Sequence, residues 1–493
     1  MKTINLPPYA PTLIESTRAM GYSLESAVAD IIDNSIAAFA SKVDLFFFPV
    51  DGEYIAFLDN GEGMTSEELN MAMQYGSKNP LESRDQSDLG RFGLGLKTAS
   101  LSQCKMLTVI SKSKEGIEAR RWDVDYVAET GEWSLIVLDD SEIQECPHFF
   151  DLDKYDKGTL VIWQKLDRLK AGETNFEQTM GRKMDDVRDH LSLVFHRYLF
   201  GEKGIKKLQI LMNNQPVQPI DPFLTSKSTQ AMDDEIMIVQ GEKIVVRPYI
   251  LPHTSKMTAD ELNSLGGKDG LRRQQGFYVY RNKRLLVWGT WFRMMRQGEM
   301  SKLVRIRVDI PNALDDLWTL DIKKSSAVPP AAVRSNLRVV IEKMSDKSKR
   351  TWTVRGKKEI DDKAIHVWNR LRTRNGGYIY QINRHHPLAE ELLKNTEVSK
   401  QVEALLKQIE NNIPLNALYV DLTNDVKIDN DVGEEYKDIR ESMIDILHNT
   451  APELQESMIN NLVSCEPFVA YKKELLQEFM DGVLNDKEYG NGV

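Results

Sequence analysis

Asp30-Ile31-Ile32-Asp33-Asn34-Ser35, Asp59-Asn60-Gly61-Glu62-Gly63-Met64 and Gly90-Arg91-Phe92-Gly93-Leu94-Gly95-Leu96-Lys97 are the three motifs on which the reading of this chain turns. Ser23 suits the cap of a helix running to about Ala40. Leu24, Ala27, Val28, Ile31, Ile32, Ser35 and Phe39 recur there at helical spacing and make one buried stripe. Asp30, Asp33, Asn34 and Ala37 fall on the other face. Taken alone, that pattern is also what a plain surface helix shows.

Two β-rich runs, 43–50 and 53–58, are joined by Asp51-Gly52, a hairpin signal. The second run leads straight into Asp59-Asn60-Gly61-Glu62-Gly63-Met64, which by itself reads as a turn. Thr65 and Glu68 form a capping box that opens a helix over 66–74. Residues 75–92 are polar and rich in turn formers; a loop of that length in a compact domain is a functional lid or a disordered segment. Gly93-Leu94-Gly95-Leu96-Lys97 then precedes a helical stretch over 98–103. Glycines just ahead of a helix let backbone N–H groups approach phosphate oxygens, and the helix N-terminus favours their charge. Leu96 stands between Gly95 and Lys97, which excludes a Walker A loop, and Thr98 occupies the third glycine of a dinucleotide fingerprint. Alternating segments at 105–111, 117–127, 133–138 and 159–165 predict an antiparallel sheet behind these motifs.

With Gly158-Thr159 opening the last of those strands, the motifs resemble, in order and spacing, the GHKL ATPase superfamily of gyrase B, the large heat-shock chaperone, sensor histidine kinases and MutL. The resemblance spans roughly residues 10–345. It implies an α+β fold class: a GHKL (Bergerat) ATP-binding α/β sandwich over 1–172, a transducer-type α/β domain over 173–345 and a mostly helical C-terminal partner or dimerisation domain over 346–493. It implies ATP and Mg2+ as cofactors. Asn34 would hold the metal, and Asp59 would accept the adenine exocyclic N–H with Thr159 sharing a water beside it. Gly61 and Gly63 would let the ring lie close, next to Met64. Gly90, Arg91, Phe92, Gly93, Leu94, Gly95 and Leu96 would wrap the phosphates, with charge from Lys97 and Lys78, and Asp33 and Ser77 complete the nucleotide-binding set. Asp30 stands where the superfamily carries the glutamate that activates the attacking water. Being one methylene shorter, it leaves open slow hydrolysis, help from Asp33, or an idle carboxylate.

Further along, Gly276–Leu286, with Arg281-Asn282-Lys283-Arg284, resembles the strand of MutL and MORC proteins that carries an Arg-Asn-x-Arg or similar turn. The stretch from Trp318 to Ser325 resembles the strand and loop from which their transducer domain sends a lysine to the γ-phosphate. Lys323 and Lys324 are both candidates, and strand alternation does not choose between them. None of the eight histidines precedes Asp or Glu, which argues against a sensor kinase, and no nuclease metal motif of the Asp-Gln-His-Ala type occurs. The expected function is an ATP-hydrolysing dimeric clamp of MutL/MORC type, acting on DNA or with a DNA-processing partner in repair or foreign-DNA defence. The alternatives are a chaperone-like or scaffold ATPase gating a protein partner, and a nucleotide switch with little turnover.

Composition sets the bounds. At 493 residues the chain exceeds one hydrophobic core, so two to four domains are expected. No apolar run is long enough for a membrane span and the N-terminus lacks a secretory pattern, which makes a cytoplasmic location the expectation. Cys104, Cys146 and Cys465 are too few and too scattered for a disulfide framework or zinc cluster. A net charge of −10 argues against wholesale coating of nucleic acid, yet Lys268–Arg307 holds eleven basic residues against Asp269 and Glu299. With Tyr278, Tyr280, Trp288 and Trp291 interleaved, that stretch lines a DNA channel or supplies solvated strand faces and interface pairs. Beyond it the expectations are a partly helical basic segment over 343–374, a strand at 378–382 and helices over 387–409, 435–448 and 452–464.

Overall fold

The computed structural model describes residues 3–4, 8–19, 21–76, 95–228, 233–267, 270–315, 317–318, 328–353, 365–372, 378–394, 398–414, 436–448, 450 and 452–483. The chain divides into two compact units, 1–353 and 354–493.

Two sheets organise the first unit. The expected hairpin is β1 (Lys42–Phe48) and β2 (Tyr54–Asp59), turning through Gly52 at φ +82°. With β3 (Met106–Ser113), β4 (Gly116–Asp123), β5 (Ile136–Val137), β6 (Gly158–Gln164), β7 (Gln209–Met212) and β8 (Gln215–Pro216) they form an eight-stranded sheet in the order β5-β4-β3-β6-β2-β1-β7-β8. All neighbours are antiparallel except β1 and β7.

The period-two alternation decides the layers. Ile55, Phe57, Leu107, Val109, Val161 and Trp163 point to one face, where α1 (Ala10–Arg18), α2 (Leu24–Ala37), α3 (Ser66–Met73), α4 (Gly95–Leu101), α5 (Val124–Thr130) and α9 (Phe176–Val194) share their core. Ala56, Leu58, Ile110, Leu160 and Ile162 point to the other, covered by the short α6 (Asp140–Gln144) and α7 (Phe149–Asp153) through Ile143, Phe149 and Leu152. The division after residue 172 that the resemblance implies passes between α8 (Asp167–Lys170) and α9, while α9, β7 and β8 all belong to this first layer.

Two local expectations are corrected. The segment 117–127 is strand only as far as Asp123, whose carboxylate caps Asp125 N–H at 3.0 Å and starts α5; Gly131 at φ +72° ends that helix. On α2, Asp30 and Asp33 are buried rather than on a solvated face, and Phe39, at φ +58° just past the helix, is exposed. The reason is tertiary: α4, α9 and a hairpin of the second sheet pack around α2 and leave it little free surface.

That second sheet runs β12-β11-β13-β10-β9, from β9 (Glu235–Val239), β10 (Glu242–Ile250), β11 (Gly276–Arg281), β12 (Arg284–Thr290) and β13 (Val304–Ile310), with β11 parallel to β13. The helix Ala331–Thr353 lays Val333, Leu337, Val340 and Met344 on it at helical spacing, beside a fully buried Trp318.

Much of the basic stretch 268–307 goes into the interior. Arg281, Arg284, Lys302 and Arg305 are buried; the first three pair with Asp315, Asp33 and Glu299, and Arg305 donates to the carbonyls of Pro222 and Leu265. Tyr278, Tyr280 and Trp291 are core residues and Trp288 is half-buried, so these aromatics do not line an open channel. Arg272, Arg273, Arg293 and Arg296 are the exposed arginines of the stretch, and Lys268 lies outside the described residues.

In the second unit a two-stranded ribbon (Trp368–Arg372, Tyr378–Ile382) accompanies helices Pro387–Lys394, Ser399–Asn411, Tyr436–His448, Gln455–Leu462 and Lys472–Val483. The single helix expected over 387–409 is therefore two, with 395–397 outside the described residues. Ile439, Met443, Leu447, Ile459, Leu462, Phe468 and Leu475 make its core.

Candidate nucleotide-binding site

Asp59 ends β2 opposite Thr159, the second residue of β6, and is 6% exposed. Its Oδ1 accepts the N–H of Gly61 at 2.9 Å and of Thr159 at 3.3 Å, and its Oδ2 accepts the Ser35 hydroxyl at 2.8 Å. Burial pushes this carboxyl above the usual carboxylate range, and the three donors pull it back part of the way. A carboxylate offers about four lone-pair sites. Three are filled, so room remains for one further donor.

The glycines around it are required by space. A Cβ on Gly61 would come within 2.8 Å of Ala38 O. Gly63, at φ +69°, would overlap Lys112 O, and Gly158 would overlap Asp59 O. The floor is completed by Ser111 on β3, whose hydroxyl lies 3.0 Å from that of Thr159 and accepts Met64 N–H at 2.8 Å. Asn60 acts as a latch, its Oδ1 taking the N–H groups of Ser41 and Lys42, each at 2.9 Å.

On α2, Asn34 is exposed, one residue before the Ser35 that holds Asp59. Asp30 lies one turn earlier, 4% exposed, with the Tyr22 hydroxyl donating to its Oδ2 at 3.2 Å. Asp33 is engaged by the second sheet: Arg284 Nε is 2.9 Å from each of its oxygens. Gly95 and Leu96 open α4, which packs against α2. Lys97 is buried, its Nζ donating to Ala72 O at 2.9 Å in the last turn of α3. Ser77, Lys78, Gly90, Arg91, Phe92, Gly93, Leu94, Lys323 and Lys324 lie outside the described residues.

Asp30, Asn34, Asp59, Gly61, Gly63, Met64 and Thr159 thus gather around the C-terminal end of β2 and the face of α2 beside it. Ser35, Ser111, Tyr22 and Arg284 join them without having been singled out by sequence. A hydroxyl within the apolar stripe of α2 was the available signal for Ser35 and the Arg281-Asn282-Lys283-Arg284 turn the one for Arg284; Tyr22 and Ser111 carried none. As a metal site, the donor set is hard oxygen: an exposed carboxamide next to buried carboxylates. Among the described residues no three His, Cys, Asp or Glu converge to hold an ion by themselves. One protein oxygen beside phosphates and waters fits the way Mg2+ is bound.

Residues 22–159, which hold every described residue of this pocket except Arg284, match the family of histidine kinase-, DNA gyrase B- and HSP90-like ATPases. The chain carries a GHKL-type ATPase domain. The chain is also similar to curated relatives. The DNA mismatch repair protein MutL of Shewanella loihica is 33% identical over 96 residues, 19% of this chain and 15% of that protein. The MutL of Shewanella baltica is 27% identical over 175 residues, 32% of this chain and 27% of that one. The matched part therefore spans well under two thirds of these relatives. Among solved structures, one described as the N-terminal domain of a DNA repair protein overlays with a TM-score of 0.43 at 17% identity, covering 69% of this chain and 99% of that chain. No helix among the described residues is long and apolar enough to cross a membrane.

Proposed function

We propose that the GHKL domain binds ATP with Mg2+ and hydrolyses it, and that the chain works as a dimeric clamp of MutL/MORC type, on DNA or with a DNA-processing partner. The observation that carries the nucleotide reading is the Asp59 carboxylate, buried, fixed by three donors and left with one acceptor site. That remaining site suits an exocyclic amine such as that of adenine and opposes a carbonyl in the same place. Gly61, Gly63 and Met64 form the wall against the ring, and Gly95 and Leu96 open the helix whose N-terminal N–H groups face the phosphates. Lys97, which donates to Ala72 O, is the candidate to add charge at the phosphates, and Lys323 or Lys324 is the candidate sensor of the γ-phosphate. Asn34 would hold Mg2+, which when bound neutralises phosphate charge. Asp30 is the residue placed to orient and polarise the attacking water.

Steady-state ATPase assays of the parent, Asp30→Asn and Asn34→Ala test this. The expected result is Mg2+-dependent turnover in the parent, loss of turnover with retained binding in Asp30→Asn, and loss of the Mg2+ response in Asn34→Ala. An Asp30→Asn protein as fast as its parent removes the base assignment. A second reading, a nucleotide switch with little turnover, is favoured by the Tyr22 hydroxyl bound to Asp30; it predicts tight ATP binding with negligible phosphate release.

For the DNA role the support is the relatives' printed name and four exposed arginines. Arg272 and Arg273 sit on the loop before β11 and Arg293 and Arg296 on the loop after β12, and Gln297 Nε2 joins the loops by donating to Arg273 O at 3.3 Å. Binding through them would weaken steeply with salt. ATP turnover unmoved by DNA, with an affinity insensitive to salt, would favour a protein partner instead, with the C-terminal unit as its docking module.

A further inference from the structure

The turn between β11 and β12 belongs to none of the nucleotide motifs. Asn282 and Lys283 form it at φ +47° and +65°, flanked by the paired Arg281 and Arg284. It is seated firmly: the Tyr198 hydroxyl donates to Asn282 O at 2.6 Å and Lys283 Nζ to Lys203 O at 2.8 Å, both just past α9. Each flanking arginine then takes a buried carboxylate. Arg281 binds Asp315 through Nε at 2.9 Å and Nη2 at 2.8 Å. Arg284 binds Asp33 through Nε, donates Nη1 to Leu285 O at 3.0 Å and stands over the Phe195 ring at 5.6 Å.

Asp33 immediately precedes Asn34 on α2 and Asp30 lies one turn before it. A guanidinium held on three sides leaves the carboxylate it binds little freedom, and here that carboxylate is part of the helix that presents Asn34. Both charges are buried, so separating them is costly, and the second sheet cannot move away from α2 without breaking the pair. We propose that Arg284 is a positioning residue: through Asp33 it sets the rotation of α2 that offers Asn34 to Mg2+, and so ties metal affinity at the nucleotide site to the seat of the second sheet. The same contact occupies the Asp33 oxygens and leaves Asp30 as the base candidate on this helix. The inference rests on the reading of Asn34 as the metal ligand.

The test uses the full chain and Arg284→Gln, Arg284→Lys, Asp33→Asn and the double variant Asp33→Asn/Arg284→Gln. Mg2+ is titrated against ATP turnover and against binding of a fluorescent adenine nucleotide, which is also measured in EDTA. Residues behind a metal ligand typically change metal affinity by about 10- to 100-fold. Arg284→Gln is expected to raise the half-saturating Mg2+ by about tenfold or more while binding in EDTA moves less than about twofold. Arg284→Lys, with charge but no fork, should fall between. The double variant strands no buried charge and should be no worse than the worse single one, and it serves as the readout if Arg284→Gln does not fold. Unchanged Mg2+ dependence in Arg284→Gln or in the double variant overturns the inference, as does an equal loss in EDTA, which marks a merely structural role. Mg2+-dependent binding in a parent whose variants match it sinks this inference alone; a parent without any such binding sinks the reading of Asn34 as well.

Discussion

Ser35 gives its hydroxyl to Asp59 at 2.8 Å, and it does so from the residue next to Asn34. The helix expected to carry the metal ligand and the strand expected to read the base are thereby pinned at adjacent positions. Losing that donor leaves a buried carboxylate with one oxygen short of a partner, and a hydrogen bond to a charged group is worth about 1.5–3 kcal/mol. Ser35→Ala should therefore weaken adenine-nucleotide binding by about 10- to 100-fold in calorimetry. A Kd within a factor of about three of the parent's contradicts that account.

Asp59 itself exchanges stability for recognition. Its folded carboxyl titrates above its ordinary value, so the fold is favoured while the group is protonated and that contribution is lost as pH rises through the raised pKa. At neutral pH the parent carries this cost and Asp59→Asn does not. The variant's thermal midpoint, relative to the parent, should rise as pH is raised above the ordinary carboxylate value of 3.8 without nucleotide, while its ATP binding is lost. A gap that narrows as pH rises would reverse the sign and refute it.

Gly63→Ala probes the wall of the pocket. The position is left-handed, which costs a side chain about 1–2 kcal/mol, and the added Cβ would overlap the Lys112 carbonyl, a backbone atom that cannot swing aside. Expected is a large drop in thermal midpoint with at least about a tenfold loss of nucleotide affinity, compared in one melt series with and without ATP. Undiminished stabilisation by ATP would show that the wall does not meet the base.

Arg281 and Asp315 form a second buried pair at the same hairpin. Arg281→Met should destabilise by about 3–5 kcal/mol because it takes the guanidinium away from the buried Asp315 carboxylate, and Arg281→Met/Asp315→Leu should recover most of that. Thermal unfolding read by tryptophan fluorescence follows the event, since Trp318 is buried in the adjacent core. Additive losses in the two singles and the double would mean that the residues do not act as a pair.

The hairpin at Gly52, the capping box at Thr65 and the cap at Ser23 were legible because each rests on contacts within a few residues. Asp59 and its glycines were legible for a related reason: a carboxylate at a strand end followed by obligatory glycines is written locally. What sequence could not supply was the direction of a side chain among distant neighbours. Lys97 carries the charge expected beside phosphate, yet it turns inward to cap α3 through Ala72 O. Asp33 faces what a helical wheel calls solvent, and that side is filled by Arg284 from about 250 residues later in the chain. The basic stretch 268–307 misleads in the same way, since counting charges cannot tell an arginine that binds a neighbouring carboxylate from one that meets solvent.

The pairing of β1 with β7 bears on how the protein can be made. Apart from Arg284, every described residue of the pocket has been synthesised by position 159, but the strand that covers the flank of β1 arrives only at Gln209–Met212. A nascent or truncated chain ending between those points carries the nucleotide motifs on a sheet with an uncovered hydrogen-bonding margin, which invites association with other copies. Fragments meant to isolate the ATPase should therefore extend past Pro216, and shorter ones should go to inclusion bodies.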